Sequence, residues 1–105
     1  WQQLASPVWM NIKQGNVLNG YRKAKGANDE RHVCPLQLDV IVRCLRLYTK
    51  PNDVVLDPFN GIGSTGFEAI KMMRRYIGFE LKSEYAAMAN DNLTEAEKMT
   101  YDLFA

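Results

Sequence analysis

The glycine-rich segment 57–66 constrains the fold of this 105-residue chain more than any other stretch of its sequence. It reads Asp-Pro-Phe-Asn-Gly-Ile-Gly-Ser-Thr-Gly and directly follows the aliphatic run Val54, Val55 and Leu56. Such a run predicts a short strand that is buried on both faces, as in parallel sheets, and that ends at Asp57. Residues 67–73 have a helical composition. The segment therefore predicts a strand, a sharp glycine turn and a helix.

Helical and extended patterns flank this segment on both sides. Downstream, residues 76–80 predict a second strand, and Ser83 is placed to cap a long last helix. Upstream, an i, i+3, i+4, i+7 stripe predicts an amphipathic helix with Pro35 near its first turn and an end near Tyr48. Two strands joined by one helix form a right-handed unit with parallel strands, so the predicted fold class is α/β, with parallel strands flanked by helices. The upstream stripe consists of Leu38, Ile41, Val42 and Leu45.

Length and composition limit the chain to one folded unit. A chain of 105 residues forms one domain at most, and 47% hydrophobic with 24% charged residues argues against disorder. No stretch approaches the roughly 18 apolar residues of a membrane span. The N-terminus lacks a secretory pattern, and two cysteines are too few for a disulfide framework. We therefore expect an intracellular, cytoplasmic protein. Because its first residue is Trp1, we also expect the chain to be processed, engineered or a piece of a longer protein.

The first third of the chain differs from the rest in charge and pattern. Residues 1–31 carry a net charge of +3 and lack periodicity, which predicts an irregular N-terminal arm with a basic loop. Residues 32–105 then form the α/β region of a single, partial domain. The basic loop either contacts the phosphates of a nucleic acid or is a solvated surface loop. Its residues of interest are Tyr21, Arg22, Lys23 and Lys25.

A metal site is not predicted. His32, Cys34 and Cys44 are the residues that could suggest one, but a structural zinc site needs four ligands at closer paired spacings. We interpret these side chains as core or surface residues.

The context of the glycine loop predicts a bound nucleotide. The pattern Gly61-x-Gly63-x-x-Gly66 opens a helix straight after a strand, and Glu80 ends the next strand 19 residues beyond Gly61. Glycines let a ligand approach backbone N–H groups, and a carboxylate at the second strand tip can accept hydrogen bonds from ribose hydroxyls. A glycine turn without any ligand is the simpler alternative.

Asp57 favours one class of nucleotide over another. A dinucleotide would bring its pyrophosphate to the helix N-terminus, next to this carboxylate, and the two negative charges would repel each other. A ligand with a positive end, such as the amino group and sulfonium of S-adenosylmethionine (SAM), suits the position better. The residues therefore favour SAM, while a nicotinamide or other nucleotide module and a remnant that binds nothing stay open as alternatives.

Residues 57–65 closely resemble the D-P-F-x-G-x-G-[ST]-T motif of the DNA methyltransferases that modify exocyclic amino groups of adenine or cytosine. Residues 76–80 match the x-I-G-x-E second strand of that family, and Tyr85 matches a position in the helix that follows. The resemblance covers most of residues 7–93. It implies a partial Rossmann-like fold of SAM-dependent methyltransferases, SAM as the cofactor, DNA as the substrate and a role in DNA methylation such as restriction–modification.

Weaker pieces of the resemblance lie upstream in the correct order. His32 precedes Asp57 by 25 residues and falls where the family has an H-P-x-Q-x-P segment, although Val33, Pro35 and Gln37 depart from that pattern. Residues 8–9 resemble an upstream V-W strand. This order of motifs implies the circularly permuted (beta) group, in which the catalytic half precedes the cofactor half.

The resemblance also implies a role for each matching residue. Asp57 and the backbone of residues 59–63 would hold the methionine end of SAM, Thr65 would help to seat the loop and Glu80 would bind the ribose. Phe59 and Leu81 would border the adenine or methionine pocket. The complete set of predicted cofactor-binding residues is Asp57, Pro58, Phe59, Gly61, Gly63, Thr65, Glu80 and His32.

The catalytic motif of the resembling family is missing from this chain. That motif is Asp, Asn or Ser followed by Pro-Pro and an aromatic residue, and the sequence contains no Pro-Pro pair. We therefore predict no catalytic residues here and interpret the chain as the C-terminal, cofactor-binding portion of a methyltransferase, inactive without its N-terminal catalytic half. Such a piece would expose an unpaired sheet edge and apolar surface, so it should dimerise, aggregate or be only marginally stable.

Overall fold

In the part of the chain that the structure describes, three helices and two strands follow one another in the order that the sequence predicts. A computed structural model describes residues 1–18 and 34–104, with side chains up to Leu103. The predicted α/β class is confirmed, and no helix of the described residues is long and apolar enough to cross a membrane. The elements are α1 (Leu38–Tyr48), β1 (Val54–Asp57), α2 (Ser64–Lys71), β2 (Arg75–Gly78) and α3 (Ser83–Phe104).

The two strands form a parallel pair joined by α2. Their register places Val54 opposite Arg75 and Asp57 opposite Gly78. The second strand therefore ends at Gly78, two residues before the predicted end, because its partner strand ends at Asp57. The N–H of Phe79 still donates to the carbonyl of Asp57 (2.9 Å). Residue 79 therefore stays beside the end of β1.

The helices cover only one face of this sheet. Val55 and Tyr76 are neighbours in the register and contact a buried cluster from α1 and α2, which consists of Ile41, Leu45 and Ala69. Helix α3 packs against α2 on the side away from β1, where Ala96 meets Phe67 in a second cluster. The core thus lies between the helices and a single sheet face.

The opposite sheet face is exposed, and the prediction of a strand buried on both faces was wrong. Val54 is 49% exposed, Leu56 is 59% exposed and Ile77 of the neighbouring strand is 49% exposed. An aliphatic run of three residues has the composition of a doubly covered strand, but cover depends on elements elsewhere in the protein. In this chain only one layer of helices is present among the described residues. The bare sheet face, defined by Val54, Leu56 and Ile77, is consequently an apolar surface of about half-exposed side chains.

Helix α2 begins earlier than its composition suggests. It starts at Ser64 rather than residue 67, and it ends at Lys71 rather than residue 73. Gly63 precedes it with a φ of 88° in the left-handed region, where a residue with a Cβ is disfavoured, so the turn into the helix is set by this glycine. At the other end Met73 has a φ of 65°, which stops the helix.

Helix α1 begins close to its predicted start. Its first residue is Leu38, after Gln37 in extended conformation, so Pro35 lies just before the first turn. Its predicted end at Tyr48 is confirmed.

Residues 1–18 contain turns but no helix or strand, so the expected strand at Val8 and Trp9 does not form. Instead the carboxylate of Asp39 in α1 accepts hydrogen bonds from the Lys13 N–H and the Asn16 side-chain amide, both at 3.0 Å. These two bonds, led by that of Lys13, hold the pKa of Asp39 below its usual value. The predicted basic loop and His32 lie outside the described residues.

Candidate functional site: a glycine-loop cleft at the end of the sheet

The glycine loop forms a tight turn between β1 and α2. At its start the Asp57 carboxylate accepts a hydrogen bond from the Phe59 N–H (2.9 Å), and further on the Gly63 N–H donates to the Asn60 carbonyl (2.9 Å). Gly61 and Gly63 have φ angles of 55° and 88°. Because left-handed conformations favour glycine, the spacing of these two glycines follows from the shape of the turn.

The end of the loop is the N-terminus of α2. Gly63 is the N-cap residue of α2, and because glycine has no side chain, no side-chain hydrogen bond caps the helix. The backbone N–H groups of the first turn have no intrahelical acceptor. A helix that begins this way presents donors to a ligand in front of it.

Glu80 connects the loop to the tip of β2. Its Oε2 accepts a hydrogen bond from the Gly61 N–H (2.8 Å), and its Oε1 accepts one from the Lys82 N–H (3.0 Å). The carboxylate is therefore held in place by two backbone donors from separate segments. An ionised carboxylate has about four acceptor positions, so these two bonds leave about two for a ligand.

A cleft of about 550 Å³ opens in front of these groups at the carboxyl end of the sheet. Its walls combine carboxylates and backbone groups with apolar side chains, including Phe59, which is 88% exposed. Open α/β folds bind ligands at this edge of their sheets. The lining residues are Cys34, Pro35, Leu36, Ile41, Asp57, Phe59, Asn60, Gly61, Ile62, Ser64, Thr65, Glu80, Leu81, Lys82 and Tyr85.

Most of the residues predicted for the cofactor lie around this cleft. Asp57, Phe59, Gly61, Thr65 and Glu80 line it, together with Leu81. Gly63 does not line it; it is buried beside α3, where a Cβ would lie 3.2 Å from the Cβ of Ala89. Pro58 is exposed at the start of the loop outside the lining, and His32 lies outside the described residues.

Two parts of the site were missed by sequence reasoning. Residues 34–36 line the cleft across from the glycine loop, and Asn60 receives a hydrogen bond from the Tyr76 hydroxyl. Burial, and secondarily the Asp57 carboxylate, raise the pKa of Tyr76 well above its usual value, against the effect of a backbone hydrogen bond with Gly66. No local sequence pattern indicates this pair, because the room for it is visible only in the fold, where a Cβ on Gly78 would lie 2.7 Å from Asn60 Cγ.

Larger grooves exist elsewhere but lack comparable chemistry. One of about 690 Å³ lies beside β2 and α3 and is lined by residues such as Ile70, Arg74 and Tyr101. It contains neither the glycine turn nor the pair of carboxylates that meet at the sheet edge. The described residues also contain no cluster of His, Cys, Asp or Glu that could hold a metal ion, and Cys34 and Cys44 are free and exposed. The glycine-loop cleft is therefore the candidate site.

Comparison with known proteins finds similarity along most of the chain. Two curated relatives are Type II methyltransferases: M1.MboII of Moraxella bovis is 41% identical over 63% of this chain, and M.XycI of Xanthomonas campestris pv. cyanopsidis is 32% identical over 89% of it. These alignments cover 25% and 31% of the two relatives, so the chain spans about a quarter to a third of their length.

A solved structure has a similar fold. The crystal structure of an M1.HpyAVI–SAM complex matches with a TM-score of 0.56 and 35% identity, over 65% of this chain and 33% of that one. The sequence model of the N6_N4_Mtase family, described as DNA methylase, matches residues 2–91. This chain therefore belongs to the N6/N4 family of DNA methylases.

Proposed function

We propose that this chain is the SAM-binding portion of a DNA methyltransferase that methylates the exocyclic amino group of adenine or cytosine. The observation that carries the proposal is the meeting of Asp57, the glycine turn and Glu80 around one cleft at the carboxyl end of parallel strands. The SAM-bound relative M1.HpyAVI and the family match support it.

The two carboxylates suit different parts of SAM. Asp57 would attract the positively charged amino group and sulfonium, whereas it would repel the pyrophosphate of a dinucleotide. Glu80 has acceptor positions left for the two ribose hydroxyls after its bonds to Gly61 and Lys82. The charged group at Asp57 and the acceptors of Glu80 therefore match SAM from its amino acid to its ribose.

The remaining predicted residues have supporting roles in this proposal. The exposed ring of Phe59 and the side chain of Leu81 would border the adenine, and Thr65 would face the methionine end from the first turn of α2. Pro58 and Gly63 would shape the loop without touching the ligand, since neither lines the cleft. His32 would reach the cofactor from the segment before residues 34–36, which already line the cleft.

Calorimetric titration tests the cofactor. SAM and its demethylated product are expected to bind the folded chain, and NAD is expected not to bind, because of the charge of Asp57. Binding of NAD would favour a general nucleotide module, and a folded chain that binds none of the three would favour a remnant without a ligand. Either result would contradict the proposal.

The proposal also covers the rest of the enzyme. The sequence has no Pro-Pro pair, and the relatives are three to four times as long as the matched segment, so we infer that a catalytic half lies elsewhere in a longer enzyme. The order of the motifs, with the His32 segment before the glycine loop, favours a permuted enzyme in which that half precedes this portion. That half supplies the acceptor for the amino proton and the aromatic that stacks the flipped base. The bare sheet face is where this half would dock, and a free chain would use the same face to self-associate.

DNA methylation by the isolated chain is expected to be absent. Incubation with DNA and SAM carrying a tritiated methyl group should leave the DNA unlabelled, because the sequence has no Pro-Pro pair and so lacks the catalytic motif of the resembling family. Labelled N6-methyladenine or N4-methylcytosine in the product would contradict this expectation.

The substrate brings the last two assignments. We propose that the parent enzyme works in the cytoplasm and that the basic loop with Tyr21, Arg22, Lys23 and Lys25 contacts the phosphates of its DNA substrate. Both assignments rest on the proposed function.

A further inference from the structure

The side chain of Asn60 is fixed at the centre of the glycine loop. Its Oδ1 accepts a hydrogen bond from the Tyr76 hydroxyl, and its backbone N–H donates to the Phe79 carbonyl (2.9 Å). Its own carbonyl accepts the Gly63 N–H (2.9 Å). One loop residue is thus bonded once to β2, once to Phe79 just after that strand, and once to Gly63 just before α2.

Two glycines make room for this pair. A Cβ on Gly78 would lie 2.7 Å from Asn60 Cγ, and a Cβ on Gly66 would overlap the ring of Tyr76. Distances this short do not occur for real Cβ atoms. The pocket that holds the Asn60 amide against the Tyr76 hydroxyl therefore requires the absence of side chains at both positions.

The surroundings of Tyr76 favour the protonated hydroxyl, which can donate a hydrogen bond. It is half-buried, and its pKa is raised by burial and by the negative charge of Asp57. Both effects favour the protonated phenol, which is the form that donates to Asn60.

We propose that Tyr76 is a positioning residue for the cofactor: through Asn60 it holds the loop so that Asp57 and the N–H groups of Ser64 and Thr65 face the methionine end of SAM. The proposal rests on the proposed function. Asn60 lies between Asp57 and Gly61, and both of those neighbours line the cleft. Tyr76 itself acts from behind the loop, outside the cleft lining.

The test compares two ligands that share one end. Tyr76→Phe removes the hydroxyl but keeps the ring, so SAM should bind about tenfold more weakly. The affinity for 5′-methylthioadenosine, which lacks the amino acid, should fall by less than about threefold in the same variant. This ligand depends on Glu80 and Leu81, which the substitution does not change. Tyr48→Phe is the matched control, because Tyr48 is 83% exposed at the end of α1 and its change should alter neither affinity.

A double-mutant cycle identifies Asn60 as the intermediary. Asn60→Ala should weaken SAM binding to a similar extent, and adding Tyr76→Phe to it should cause little further loss. Additive effects of the two substitutions would overturn the proposed connection, as would equal losses for SAM and methylthioadenosine, which indicate a general structural role.

A second readout does not depend on any ligand. Amide hydrogen exchange at Asn60 and Gly63 should be faster in Tyr76→Phe than in the wild-type chain, while exchange in α3 stays the same. Unchanged exchange in the loop would overturn the positioning role whether or not SAM binds. Failure of the wild-type chain to bind SAM would instead contradict the proposed function, so the two failures are distinguishable.

Discussion

Gly66→Ala is expected to lower the free energy of unfolding by about 2 kcal/mol, although alanine is the better helix former. Helix propensity favours alanine by about 1 kcal/mol at an interior helical position. The added Cβ, however, would overlap the Tyr76 ring and lie 2.5 Å from Leu93 Cδ2, in the contact between α2, β2 and α3. Overpacking of this kind costs about 1–3 kcal/mol and occasionally more, so the overlap outweighs propensity. Gly66→Val should be worse still.

Urea unfolding followed by circular dichroism measures this effect. Gly15→Ala is the matched control, because a Cβ on Gly15 has nothing within 4 Å and should change stability by less than about 0.5 kcal/mol. A Gly66→Ala chain that is more stable than the wild type would show that Tyr76 can move away without loss and that the close packing at Gly66 is unimportant.

Glu80→Ala is expected to weaken SAM binding by roughly 10- to 100-fold. Hydrogen bonds to a charged group contribute about 1.5–3 kcal/mol, and every 1.4 kcal/mol corresponds to a tenfold change in affinity. The substitution removes the acceptor for the ribose and also the acceptor of the hydrogen bonds from the Gly61 and Lys82 N–H groups. Glu80→Gln keeps one carbonyl oxygen and should lose less affinity than Glu80→Ala.

Titration calorimetry of these variants should be accompanied by Glu95→Ala, which removes an exposed carboxylate from the middle of α3, away from the cleft lining. This control should bind SAM like the wild type. Equal affinity for SAM in Glu80→Ala and in the control would mean that Glu80 only shapes the loop and that the ribose is bound elsewhere.

Much of the cleft follows from local sequence signals. Asp57 ends β1 and Glu80 comes two residues after β2, and parallel strands bring their carboxyl ends to one edge, so element order predicts that the two residues meet. The left-handed turn at Gly61 and Gly63 likewise follows from glycine chemistry.

Other features depend on which surfaces meet in three dimensions. The apolar run at Val54 and Leu56 indicated a strand, but it contained no information about what covers each face, and one face is bare. The Tyr76–Asn60 bond links residues 16 positions apart through a pocket formed by two glycines. Residues 34–36 reach the cleft only because α1 packs against α2, which no local pattern reports.

The central claim is that the glycine-loop cleft binds SAM, and amide NMR of the ¹⁵N-labelled chain during a SAM titration tests it most directly. The account predicts saturable shifts in residues 59–65 and 80–82, with residues 1–18 and the second half of α3 unchanged. A folded chain with no shifts, or with shifts centred on the groove beside Arg74 and Tyr101, would contradict the assignment of the cofactor to this cleft.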